Sequence, residues 1–201
     1  MRTLPRLSIR RAAAALLLVL PAVAWTSISE LLTLQPESKL WVDGTSTVRS
    51  WSCTAADVDA VVEAAPNAIA QVSAGEKGVT GVRVRVEAAK LDCGNGTMNE
   101  HMRKALKADA SKVIAFTLAD YQVSKSADGV AGTLTGTLSL GGVTKTIAIP
   151  ATGKREGGAL RVVGSYPLNM KDYDLKPPTL MFGRIKVGET VTVKFDLLLK
   201  S

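Results

Sequence analysis

The stretch Val82-Arg83-Val84-Arg85-Val86-Glu87 alternates apolar and charged side chains without a break. Successive side chains of an extended backbone point to opposite faces, so the three valines share one face and the three charges the other. The pattern predicts a half-buried antiparallel strand, apolar on one side and wet on the other. The same period governs 190–199, where Val191, Val193, Phe195, Leu197 and Leu199 oppose Thr192, Lys194 and Asp196. Further candidate strands at 40–48, 51–63, 113–123, 130–140, 143–151 and 159–170 bring the expected count to eight.

The connections support the reading. Gly141-Gly142 separates two alternating runs and can take positive φ at both positions without a Cβ penalty, a strong hairpin signal. Ser126-Ala127-Asp128-Gly129 and Glu156-Gly157-Gly158 read as further tight turns. One helix is expected at 98–107, between the third and fourth strands, with Met98, Met102 and Leu106 on one stripe. The segment 174–188, containing Pro177-Pro178, reads as a long connection before the last strand. Eight antiparallel strands can close as a barrel or split into a sandwich, and period alone does not decide between them. Closure removes exposed edges and leaves room for one small ligand.

The N-terminal 24 residues have a different character. Arg2, Arg6, Arg10 and Arg11 precede the apolar run Ala12 to Leu20, and Ala22-Val23-Ala24 supplies a small-x-small ending, the three parts of a secretory signal peptide. Residues 1–24 are therefore expected to be removed, 25–37 to form a spacer, and 38–201 to form the folded domain. The apolar run is shorter than the ~20 residues a spanning helix needs, so no stable membrane anchor is expected. The expected location is the periplasm or the medium.

Removal of that segment changes the meaning of the charge. The chain carries 25 basic and 18 acidic residues, a net +7. Four of the arginines lie in the signal, leaving 21 basic against 18 acidic side chains, and a nucleic-acid partner loses its support. At 46% hydrophobic and 21% charged, the chain is that of a folded domain rather than a disordered one. Cys53 and Cys93 are the two cysteines. Their separation of 40 excludes a CxxC motif, and a single histidine provides no zinc ligand set, so an exported chain is expected to join them as a disulfide.

Four segments, in order, carry a family resemblance. They are Leu91-Asp92-Cys93-Gly94-Asn95-Gly96-Thr97-Met98-Asn99-Glu100-His101-Met102, then Val113-Ile114-Ala115-Phe116-Thr117, then Gly136-Thr137-Leu138-Ser139-Leu140-Gly141-Gly142-Val143-Thr144-Lys145, and then Leu168-Asn169-Met170-Lys171-Asp172-Tyr173. Together they resemble the YceI-like family of periplasmic or secreted lipid-binding proteins. The chain departs from the family at Ser50-Trp51-Ser52-Cys53-Thr54, which lacks the usual histidine and glycine-aromatic pattern, and at Asp174, where glycine is frequent. The resemblance implies an all-β, eight-stranded, lipocalin-like antiparallel barrel whose cavity holds a polyisoprenoid or other long amphiphile, with no cofactor.

From the alternation, the expected inner face comprises Val84, Val86, Phe116, Leu118, Leu134, Leu138, Leu140, Ile147, Ile149, Val193 and Phe195. Trp51, His101, Tyr173, Met181 and Phe182 are the expected residues of a mouth or headgroup site. Two other readings stand beside the carrier. A lipid-ester hydrolase would have to use His101, although the chain contains no GxSxG, HExxH, GxxxxGK[ST] or GxGxxG motif. A structural β-domain with a filled core would have no cavity. A homodimer is compatible with all three readings.

Overall fold

The structure is a computed structural model that describes residues 29–201. The expected signal segment lies outside the described residues. In chain order the elements are β1 (Glu30–Leu34), β2 (Lys39–Thr45), β3 (Ser50–Ala55), β4 (Asp59–Ala64), α1 (Ala68–Ser73), β5 (Val79–Glu87), β6 (Leu91–Asp92) and α2 (Gly96–Ala105). They continue with β7 (Val113–Ser126), β8 (Gly129–Leu140), β9 (Val143–Glu156), β10 (Ala159–Asn169), β11 (Thr179–Leu180), β12 (Ile185–Lys186) and β13 (Thr190–Lys200).

The sheet closes on itself. Its order runs β1, β4, β5, β7, β8, β9, β10, β13 and back to β1, an eight-stranded antiparallel barrel. Of the five other strands, β2, β3 and β6 extend members of the ring, and β11 and β12 pair separately. β2 continues β1 along the same edge of β13, pairing Lys39–Asp43 with Thr192–Asp196 while β1 pairs Leu34 with Leu199. β3 and β4 are the two halves of 51–63, interrupted at Ala56-Asp57-Val58, and β6 continues β5 beyond the 3-10 turn Ala88–Lys90. The barrel thus has eight long strands in up-and-down order, the first three each bent once.

The chain enters the sheet earlier than expected. β1 falls inside 25–37, the stretch read as a spacer, because five residues with Leu32 as their one buried side chain show no sustained period. Asp57 sits in the bend and bonds Lys90 at 3.2 Å, and Asp59 lies on β4 opposite Arg85.

The turns form as their residues dictate. Gly141 and Gly142 take φ of 59° and 88°, the doubly positive geometry of a tight hairpin. Asp174, where the family often has glycine, takes the same left-handed conformation at φ 53°, one of the few non-glycine types enriched there.

One end of the barrel is closed. α1 packs on β8, β9 and β10, and Ala68, Ile69 and Val72 join Leu32, Val62, Val130, Leu160 and Leu199 in a buried cluster. The Tyr121 hydroxyl fastens the return from α1, accepting from the Gly78 and Val79 amides at 2.8 and 3.0 Å. At the other end, Leu106, Ala108, Leu140, Leu168, Met170, Tyr173 and Leu175 form a second cluster beneath α2.

Inside the barrel, large rings lie flat on glycines. A Cβ on Gly164 would collide with the Phe195 ring directly opposite on β13, one on Gly136 would meet Phe116 Cζ at 2.6 Å, and one on Gly44 would strike Trp51. The missing side chains let each ring lie along the wall instead of across the lumen.

Candidate functional site

The lumen is not filled. A cavity of about 400 Å³ extends from Leu34, Val62 and Leu199 near the α1 end to α2 and the β11–β12 turn at the other. That size falls within the ~300–1,000 Å³ usual for small-molecule sites. Inward residues such as Val82, Val84, Leu134, Leu138 and Val193 are only half-buried because they face this space rather than a packed neighbour.

Of the residues expected on the inner face, Val84, Val86, Phe116, Leu134, Leu138, Leu140, Ile147, Ile149, Val193 and Phe195 all line the cavity. Leu118 does not. The β7–β8 register shifts between Leu118 and Asp120, and a bulge there resets the alternation, so that the next buried position is Tyr121.

The mouth residues divide. Trp51 and His101 line the cavity. Tyr173 does not: it is 1% exposed and packed in the cluster beneath α2, where its hydroxyl has no hydrogen-bond partner and burial pushes its pKa up to about 12. Met181 and Phe182 do not line the cavity either. They stand in solvent at the tip of the β11–β12 turn, while Leu180 and Ile185 on either side of them do reach the cavity. Among the described residues the only exposed ones lining the cavity are Val48 and Arg49, which locates the opening at the β2–β3 turn.

Several wall residues were not anticipated. Met98 and Met102 share a helical stripe that is legible in the sequence, but the stripe does not say that it faces a lumen. Tyr166 shares the period-two face of Leu160, Val162 and Leu168 and could have been found from it, whereas Leu180, Ile185 and Val187 belong to a connection without period.

The first quoted family segment builds the seat of α2. The Asp92 carboxylate accepts from the Asn99 side-chain amide at 2.9 Å and the Gly94 amide at 3.0 Å, which together hold it below the usual carboxylate range. Asn99 Oδ1 in turn accepts from the Cys93 amide at 2.7 Å, and the Asn95 side chain caps the helix by accepting from the Met98 amide at 3.1 Å. Cys53 and Cys93 form a disulfide that ties β3 to this loop. Helix α2 is therefore fastened over one side of the cavity by a covalent bond and a polar turn.

The chemistry of the wall is almost wholly apolar. Ser46, Arg49, His101 and Tyr166 are its polar exceptions apart from Trp51 and the cystine. Glu100, the acid next to His101, is committed to Lys104 at 2.6 Å. No group of three or more His, Cys, Asp or Glu side chains suited to a metal ion occurs among the described residues. The arrangement can exclude water from an apolar chain and offer a few polar contacts at or near its open end.

This is the architecture of a barrel-type binding protein. The YceI-like domain profile matches residues 35–199, and the chain belongs to the YceI-like family. Among solved structures it is similar to Burkholderia cenocepacia BcnA, at 16% identity and a TM-score of 0.61, covering 80% of this chain and 95% of that one. A polyisoprenoid binding domain from Saccharophagus degradans aligns at 16% identity and 0.58, over 85% and 97% of the two chains. The Campylobacter jejuni YceI protein aligns at 18% identity and 0.56, over 71% and 80%. No curated protein matches the chain.

Proposed function

We propose that the protein binds a polyisoprenoid or another long-chain amphiphile, tail inward, and carries or stores it outside the cytoplasm. The observation that carries this reading is the apolar cavity of about 400 Å³, closed at the α1 end and open beside Arg49. Each methylene moved from water into such a space is worth about 0.8 kcal/mol, so a tail binds with few polar contacts. The methionines of α2 supply an adaptable surface that accepts differently branched tails. The Saccharophagus degradans neighbour, described as a polyisoprenoid binding domain, supports the ligand class. The cystine suits an oxidising compartment, and the Arg-rich, apolar N-terminal segment suits export.

The test is direct. The protein is purified without detergent, extracted with organic solvent, and the extract analysed by mass spectrometry. A stoichiometric isoprenoid or fatty amphiphile is expected. Failure to recover one, together with failure of the delipidated protein to take up any apolar chain, would overturn the reading.

A further inference from the structure

Six large hydrophobic side chains are exposed among the described residues, and three of them stand at the cavity mouth: Val48 at 67%, Met181 at 65% and Phe182 fully in solvent. They occupy the tips of two neighbouring turns, β2–β3 and β11–β12. Those turns are bound to each other. The Thr47 amide donates to the Lys186 carbonyl at 3.0 Å, the Thr47 hydroxyl to the Arg184 carbonyl at 3.2 Å, and Ser46 bridges Val187. The three apolar tips thus belong to one rim, continuous with the cavity wall through Val48, Leu180 and Ile185.

The backbone of that rim is unusual. Met181 and Phe182 take φ of 49° and 54°, a left-handed region that Asn and Gly fill at low cost and large side chains do not. A turn optimised for the barrel alone would carry Asn-Gly at this point. The sequence instead places its most exposed aromatic ring there.

The charge is equally one-sided. Arg49, Arg184 and Lys186 lie on these two turns, none is in an ion pair among the described residues, and neither 46–50 nor 176–188 contains an acid. Apolar tips surrounded by unpaired cations match an anionic bilayer, whose headgroups meet the cations while the tips enter the interface. A protein partner of matching shape would need an acidic rim around an apolar centre, and nothing in the structure points to one.

We infer that the cavity mouth docks reversibly on an anionic membrane surface through Val48, Met181, Phe182, Arg49, Arg184 and Lys186, so that a lipid tail passes between bilayer and barrel without crossing water. The inference rests on the lipid-binding reading for its purpose, but its test does not. The full mature protein is sedimented with vesicles of phosphatidylglycerol and phosphatidylcholine in equal parts, and with phosphatidylcholine alone. Two variants are compared, M181N/F182G and R184Q/K186Q. The first gives the turn the residues its backbone prefers, so it keeps the fold intact while removing the apolar tips.

Wild type is expected to partition to the anionic vesicles, roughly fivefold more weakly for each mouth cation removed and at least tenfold more weakly for M181N/F182G. Uptake of a water-soluble fluorescent fatty acid by M181N/F182G should match wild type. Equal partitioning of wild type and M181N/F182G, or no preference for the anionic vesicles, overturns the inference. So does a wild-type dimer that becomes a monomer in M181N/F182G with no change in vesicle binding, since the rim would then serve self-association. Loss of fatty-acid uptake by every form, wild type included, would instead count against the lipid-binding reading.

Discussion

The size of the cavity sets the length of chain it accepts. The lumen is closed at the α1 end and open beside Val48 and Arg49, so a tail can enter only until it fills the length between them. While the tail is still entering, each added methylene is worth about 0.8 kcal/mol, which is roughly fourfold in affinity. Lengthening a straight-chain carboxylate from about eight to about twelve carbons should therefore tighten binding by roughly two hundredfold. Once the tail fills the lumen the extra groups emerge beside Val48 and Arg49, and the gain per carbon should collapse. The assay is displacement of a fluorescent fatty acid from the delipidated protein, kept below the aggregation limit of each competitor. Val84→Phe, which places a ring in the wall, should move the break to shorter chains. A slope below about twofold per methylene, or a break that Val84→Phe leaves in place, would refute the assignment of this cavity as the tail site.

Four other outcomes are expected. Replacing both Cys53 and Cys93 by Ser removes a cross-link spanning 40 residues and should cost on the order of 3–4 kcal/mol, read by urea unfolding. Tyr173→Phe removes a buried hydroxyl without a partner and should be neutral or stabilising, by up to about 1 kcal/mol, in the same assay. Because the Tyr173 pKa is raised from 10.0 to about 12, the unfolded chain ionises first, and stability should decline as pH rises through that window, less so in Tyr173→Phe. Arg161, bidentate to Asp196 at 2.6 and 2.7 Å, holds that carboxyl below its ordinary value of 3.8; the stability this gives is present above pH 3.8 and lost as pH falls through the lowered value, and thermal melts of Asp196→Asn should show a smaller acid dependence.

How much of this was legible in the sequence depended on length and regularity. Long strands with one dry face, such as β5 and β13, announce themselves because the barrel interior imposes strict alternation over many residues. Tight turns such as Gly141-Gly142 were equally plain, because their backbone restricts which residues fit. β1 and α1 were missed for the opposite reason: five and six residues are too few to establish a period, and tertiary pairing decides them. The run 51–63 concealed a bend at Ala56–Val58 that does not disturb the alternation enough to show. In the site, the wall followed from the strands except at Leu118, which adjoins the register shift at Ala119, a bulge that no local signal marks. The mouth was the least legible part. It joins the β2–β3 turn to α2 and to 174–188, a connection without period; Tyr173, expected at the mouth, is buried, while Met181 and Phe182 lie beyond the lining rather than in it.

The closure of the sheet by its first and last strands has a consequence in time. The seam joins Leu34 to Leu199, and the Thr33 hydroxyl donates to the Lys200 carbonyl across 167 positions of sequence. A chain that emerges from its N-terminus can pair β3 with β2, or β8 with β7, as soon as each hairpin is complete, but it cannot complete the ring until Leu199 and Lys200 are free. Contacts this distant also make folding slow, since the loop entropy is lost before the seam repays it. Until then the apolar faces that will become the lumen lie open on an unrolled sheet. The ligand site is complete only once that seam has closed, so an apolar chain present at closure can be enclosed by folding itself rather than admitted afterwards through the mouth.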